Sequence, residues 1–148
     1  VKKIAIVYES ITGNTKEIMF NIAENVNDAY FVDIFKYEAF DFRKINEYDA
    51  VIFGTYTWGN GDLPVRVSRF MVAFTEYFEQ NPNHTIDTII GVFGSGDTTY
   101  DEFCGAVDKM TSIFSCFGKV ECKLKIELNP NGNDHERIKK FIKRLGLE

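Results

Sequence analysis

Three short stretches of the 148-residue chain carry side chains suited to holding a ligand. The first is Ser10-Ile11-Thr12-Gly13-Asn14-Thr15, which packs three hydroxyls and one carboxamide into six residues just ahead of a helical pattern. A helix start leaves backbone N–H groups without partners and carries the positive end of the helix dipole. Hydroxyls and an amide added there make a phosphate cradle that needs no cationic side chain, and Gly13 lets the backbone come close. A plain helix cap needs only one such residue. The second stretch is Thr55-Tyr56-Thr57-Trp58-Gly59-Asn60-Gly61-Asp62. It holds the single tryptophan of the chain, set between polar residues and glycines instead of inside a periodic apolar pattern. The third, Gly94-Ser95-Gly96-Asp97-Thr98-Thr99-Tyr100, again joins glycines to one aromatic. Rings at loop tips can stack on a planar heterocycle. Two rings bracketing a gap beside a phosphate cradle suggest a flat ligand with a phosphate tail. Neither the Walker GxxxxGK(S/T) loop nor the dinucleotide GxGxxG fingerprint is present.

These stretches need a frame that brings them together. Ile4–Tyr8 and Ala50–Thr55 are β-branched or apolar runs of the kind buried on both faces of a parallel sheet. Tyr30–Phe35 and Thr88–Phe93 read as further strands, and Val120–Leu128 as a fifth with a more exposed far half. Apolar residues spaced three and four apart predict helices over Asn14–Val26, Val65–Phe78, Asp101–Phe117 and Asn133–Leu145. Asp41–Glu47 is a polar connection of one helical turn. Pro64 suits a first helical turn, and Asp134 can cap the last helix. Alternating β and α elements imply a parallel sheet with helices on both faces. In that class, ligands sit beyond the carboxyl ends of the strands at the topological switch point, where all three stretches lie.

Composition removes several function classes. The net charge of −5 argues against nucleic acid, whose phosphates call for Lys/Arg clusters, and permits docking to a basic protein patch. Cys104, Cys116 and Cys122, odd in number and without CxxC spacing, suggest neither a disulfide framework nor a zinc site and fit a reducing cytosol. The run VKKIAIVYES is too short in apolar residues for a signal peptide. No stretch approaches the ~20 apolar residues that span a membrane. His84 and His135 lie in polar, loop-like sequence, and no catalytic acid, base, nucleophile or metal constellation is visible. Chemistry would therefore belong to a cofactor.

Ser10–Thr15, TWGNGD at Thr57–Asp62 and the long, specific GSGDTTYDEFCGAVD at Gly94–Asp108 resemble the flavodoxins, and the resemblance covers essentially the whole chain. It implies a flavodoxin-like α/β fold: one FMN-binding domain over residues 1–148, doubly wound, five parallel strands in the order 2-1-3-4-5, of the short-chain type. It implies a low-potential electron carrier, not an enzyme, moving one electron at a time on non-covalently bound FMN. The donor would be a flavodoxin/ferredoxin-NADP-type reductase, and acceptor enzymes would dock transiently to a cytoplasmic monomer. By position, Ser10, Thr12, Asn14 and Thr15 would bind the phosphate, with Ile11 and Gly13 in the same loop. Trp58 would lie on the inner ring face and Tyr100 on the outer. Backbone groups of Ser95, Asp97 and Cys104 would meet the pyrimidine edge, and Thr55, Tyr56, Thr57, Gly96 and Phe103 complete the set. The Gly59–Asn60 peptide would turn its carbonyl toward flavin N5–H on reduction. Asp62, Asp97, Asp101 and Glu102 would oppose a second electron. The chain departs from the family pattern at Asn60, where many members carry Asp, at Lys16, where an acid is usual, and at Tyr56, where a small residue is often found.

The alternative reading is a flavodoxin-like FMN protein dedicated to one partner, such as an activator of ribonucleotide reductase; the extended Gly94–Asp108 segment favours the general carrier. FMN-dependent quinone reductases are usually longer. A phosphoacceptor receiver domain shares the strand order but needs an acidic cluster after the first strand and an Asp ending the third, where this chain has the lone Glu9 and Thr55.

Overall fold

The computed structural model describes residues 2–100 and 102–148. Strands β1 (Lys3–Glu9), β2 (Phe31–Lys36), β3 (Ala50–Tyr56), β4 (Ile89–Gly96) and β5 (Val120–Glu127) form one all-parallel sheet in the order β2-β1-β3-β4-β5. Helices α1 (Asn14–Asn25), α2 (Val65–Gln80), α3 (Gly105–Ser115) and α4 (Asp134–Arg144) cover its two faces. Two 3-10 segments, Tyr37–Ala39 and Phe42–Glu47, join β2 to β3 in place of a full helix.

Because side chains alternate along a strand, each central strand feeds two cores. Ile4, Ile6 and Tyr8 of β1 and Ala50 and Ile52 of β3 pack with Ile18, Met19 and Ile22 of α1 and Ile138, Phe141 and Ile142 of α4. Ala5 and Val7 of β1 and Val51 and Phe53 of β3 face the other way, onto α2, α3 and the 3-10 segments. That second core absorbs much of the aromatic content: Phe53 stacks on Phe114 at 4.4 Å between centroids, and Phe74 meets Phe114 edge-on at 5.1 Å.

Three sequence expectations change. The helix expected over Asp101–Phe117 begins at Gly105, because Cys104 adopts a left-handed conformation (φ 52°) that interrupts the helical path; Asp101 lies outside the described residues. In β5 it is the far half that is buried, through Leu124 and Ile126 packed in the α1/α4 core, while Val120–Cys122 is half-buried. Asp134 is the first residue of α4 and not its cap: its carboxylate accepts from the Asn131 N–H at 3.2 Å and from Arg137 Nη1 at 3.1 Å. α2, by contrast, starts at Val65 directly after Pro64, as the sequence predicts.

Candidate functional site

The register pairs Glu9 with Thr55 and Thr55 with Gly94, so β1, β3 and β4 end side by side and release their loops at one sheet edge. Between those loops lies a cleft of about 280 Å³.

The loop after β1 contributes Ile11, Thr12 and Asn14 to the cleft. Lys16 N–H donates to Ser10 Oγ at 3.3 Å and Glu17 N–H to Gly13 O at 2.9 Å. Among the described residues, the N–H groups of Asn14 and Thr15 donate to no protein acceptor, so this helix end keeps open donors beside the hydroxyl of Thr12 and the carboxamide of Asn14. Gly13, at φ 95°, holds a conformation that side-chain-bearing residues rarely adopt. Thr15 is turned inward instead: it is 1% exposed, and its Oγ1 shares a 2.7 Å hydrogen bond with Oγ of Ser95, which is 3% exposed. This buried bond ties the loop after β1 to the end of β4.

The loop after β3 is a closed hairpin. Trp58 and Asp62 exchange two N–H···O bonds of 2.8 Å, enclosing Gly59, Asn60 and Gly61. Both glycines have positive φ (54° and 107°). The hairpin is fastened to α3 at several points. Lys109 Nζ lies 2.8 Å from Asp62 Oδ1, and Ala106 N–H donates to Thr57 Oγ1 at 3.3 Å. Gly105 approaches so closely that a Cβ there would stand 2.8 Å from Gly61 Cα. Tyr56, Thr57, Trp58 and Gly59 line the cleft.

Ser95, Gly96, Asp97 and Tyr100 from the loop after β4, and then Cys104, line the remaining wall. Asp97 Oδ1 accepts the Thr99 N–H at 2.9 Å, a bond that lowers the carboxyl pKa, and Asp97 O accepts the Tyr100 N–H at 3.2 Å. Burial pushes the Cys104 thiol up to about 12, so it sits in the wall as an inert, protonated group. Among the expected site residues, Ser10, Gly13, Thr15, Thr55, Asn60 and Phe103 do not line the cleft. Thr55 is fully buried and donates to Tyr56 O at 2.9 Å, and Phe103 packs against the aromatic core.

Two lining residues come from outside the expected set, Glu102 and Leu128. Leu128 follows β5 in a left-handed conformation (φ 56°), and its N–H donates to Gly96 O at 2.8 Å. Its only sequence signal is that β5 ends at the same sheet edge. Among the described residues no group of three or more His, Cys, Asp or Glu could hold a metal ion, and no helix is long and apolar enough to cross a membrane.

The donor set suits a phosphate, and the two exposed rings suit a flat body. The family model described as Flavodoxin matches residues 6–141. The chain is 35% identical to probable flavodoxin 2 of Bacillus subtilis (strain 168), over 97% of each chain. Among solved structures, oxidised flavodoxin 1 from Bacillus cereus superimposes with a TM-score of 0.85 at 27% identity, over 98% of this chain and 97% of that one. A Streptococcus pneumonia TIGR4 flavodoxin gives 0.80 at 34% identity, over 97% of each.

Proposed function

The chain belongs to the flavodoxin family and is a low-potential electron carrier working on non-covalently bound FMN, and on that premise we propose which of its groups hold the cofactor. Bound FMN supplies reversible one-electron chemistry; the protein supplies binding, orientation and electrostatics.

The observation that carries the assignment is the pairing, across one cleft, of open N–H donors at a helix start with two rings that are each more than half exposed, Trp58 at 58% and Tyr100 at 52%. Thr12, Asn14 and the N–H groups of Asn14 and Thr15 hold the phosphate, where hydrogen bonds and the α1 dipole act together on the same charge. Trp58 and Tyr100 cover the two faces of the ring system and keep water from them. Ser95, Gly96, Asp97 and Cys104 present backbone groups to its polar edge. The Gly59–Asn60 peptide, held in the hairpin but free of a Cβ at Gly59, offers its carbonyl as an acceptor for a ring N–H. Ser10, Gly13, Thr55, Phe103 and the side chain of Thr15 act from behind, shaping the loops without lining the cleft.

The family works through transient redox partners such as reductases. For this chain the proposal is a flavodoxin/ferredoxin-NADP-type reductase as donor and several acceptor enzymes. The chain would serve them as one domain over residues 1–148, a monomer in the cytoplasm. The relatives are named as flavodoxins and not as a dedicated activator of one enzyme.

Titration of the apoprotein with FMN and with riboflavin, read by flavin fluorescence, tests the assignment. FMN should be quenched stoichiometrically and bind far more tightly than riboflavin, and Thr12→Ala with Asn14→Ala should narrow that gap. Equal affinities for the two flavins in the unsubstituted protein would refute the phosphate assignment.

A further inference from the structure

Ala5 and Val7 of β1 point into the aromatic core under α2 and α3, and Glu9 is the next residue in that alternating series. A carboxylate therefore occupies the top of an apolar column. It is 8% exposed. Among the described residues its ionic partner is Lys36, whose Nζ stands 4.0 Å from Oε1 with a side chain 43% exposed, and that ammonium also sits over the Tyr8 ring. Burying a carboxylate against one distant, half-solvated cation costs folding free energy, which points to a use outside folding.

Glu9 lines a cavity of about 420 Å³ whose other walls include Ile11, Tyr56 and Trp58. Those same three residues line the cleft, so they form the partition between Glu9 and the cleft. Arg66 also lines the cavity, pairs with Glu38 at 3.5 Å and acts on Tyr56 in the opposite sense to Glu9. The field of Glu9 already registers in that partition. Burial first and the Glu9 charge second hold the Tyr56 phenol above its ordinary range, and the same two causes act on Tyr37. Among the described residues, Asp62 pairs with Lys109 and Asp108 lies between Lys123 and Lys125, whereas Asp97 and the exposed Glu102 line the cleft itself and act on it beside Glu9. A buried charge is screened by salt far less than an exposed one.

We propose that Glu9 is a buried negative charge that lowers the carrier's second one-electron potential, acting through the Tyr56–Trp58 partition on the electron that arrives in the cleft without a proton. The proposal rests on the FMN-carrier reading. It assigns Glu9 a tuning role and no contact with the cofactor.

Glu9→Gln removes the charge and keeps the shape. The second midpoint potential should rise, and the first, in which a proton accompanies the electron, should move little. The ratio of the dissociation constants for reduced and oxidised FMN should fall about tenfold, which is 59 mV for a one-electron step, and the shift should persist at high salt. In the apoprotein, the Tyr56 phenol should titrate at lower pH. Lys36→Met removes a cation and should lower the second potential, and combining it with Glu9→Gln should bring that potential back toward the unsubstituted value. That sign reversal is a result a packing defect does not produce; Glu9→Asp, which keeps the charge, should leave the second potential in place, and Glu9→Ala repeats the test if Glu9→Gln does not fold. An unchanged second potential in a Glu9→Gln or Glu9→Ala variant that binds FMN overturns the proposal and leaves the carrier reading standing. An unsubstituted protein that takes up no FMN overturns both.

Discussion

Thr15 and Ser95 hold the loop after β1 to the end of β4 through a single 2.7 Å hydrogen bond between two hydroxyls that are almost wholly buried. Thr15→Val keeps the side-chain shape and deletes one hydroxyl. The loss has two parts. A net hydrogen bond is worth about 0.5–1.5 kcal/mol, and stranding the buried Ser95 hydroxyl costs about 1–3 kcal/mol. A total near ~2 kcal/mol lowers the melting temperature of a chain this size by about 4–8 °C. Ser95→Ala should cost a similar amount by stranding Thr15 in turn. The double variant leaves no orphan hydroxyl, so its cost should fall short of the sum by about 1 kcal/mol or more. Urea unfolding of the four apoproteins, followed by circular dichroism, measures the cycle. The double variant should still bind FMN more weakly than the unsubstituted protein, because the two loops lose their mutual anchor. Strictly additive costs would refute the idea that this bond joins the loops, and the buried contact would then be incidental.

Gly61 lies at φ 107°, and a Cβ there would overlap the Glu102 side chain; Gly61→Ala should cost about 2–4 kcal/mol from backbone strain and overpacking, and Glu102→Ala in the same chain should restore about 1 kcal/mol, unless unfolding curves show the full cost retained. Asn60→Asp adds a charge on the hairpin; at ~10 Å and an effective dielectric near ~20 this is at most about 1.7 kcal/mol, or roughly 70 mV, so the second one-electron potential should fall, and a titration showing no change or a rise would contradict it. Iodoacetamide at pH 8 should label the exposed Cys116 first and spare Cys104, whose thiol burial has pushed up to about 12. By linkage, a thiol raised above its unfolded value leaves stability intact below that value and withdraws it as pH climbs from about 9 toward 12. Rapid native labelling of Cys104, or no alkaline loss that Cys104→Ala relieves, would show that the thiol is not sealed.

Legibility in the sequence tracked how local the determining force was. β1 and β3 were plain because a strand buried on both faces must be apolar along its length. The cleft could be located because its loops combine hydroxyls, glycines and rings in short windows. What was not legible depended on residues distant in sequence. The lone acid Glu9 gave no hint that Tyr56 and Trp58 would fold over it. The Asp62–Lys109 pair joins residues 47 positions apart, so Asp62 read as a free charge when it is a compensated one. The left-handed turns at Cys104 and Leu128 fall on residue types that do not advertise them; the first displaced the start of α3 and the second brought an unexpected side chain to the cleft.

The hairpin from Trp58 to Asp62 has a kinetic consequence. Its ends are locked by two mutual hydrogen bonds and its tip is pinned against Gly105 and α3, so a change of peptide orientation is confined to three residues. Dipoles fixed in advance need no rearrangement at the moment a charge arrives. A turn of the proposed Gly59–Asn60 peptide would then place the protein's share of the reorganisation energy in one small element inside a stiff frame, and such stiffness would favour fast exchange in both directions.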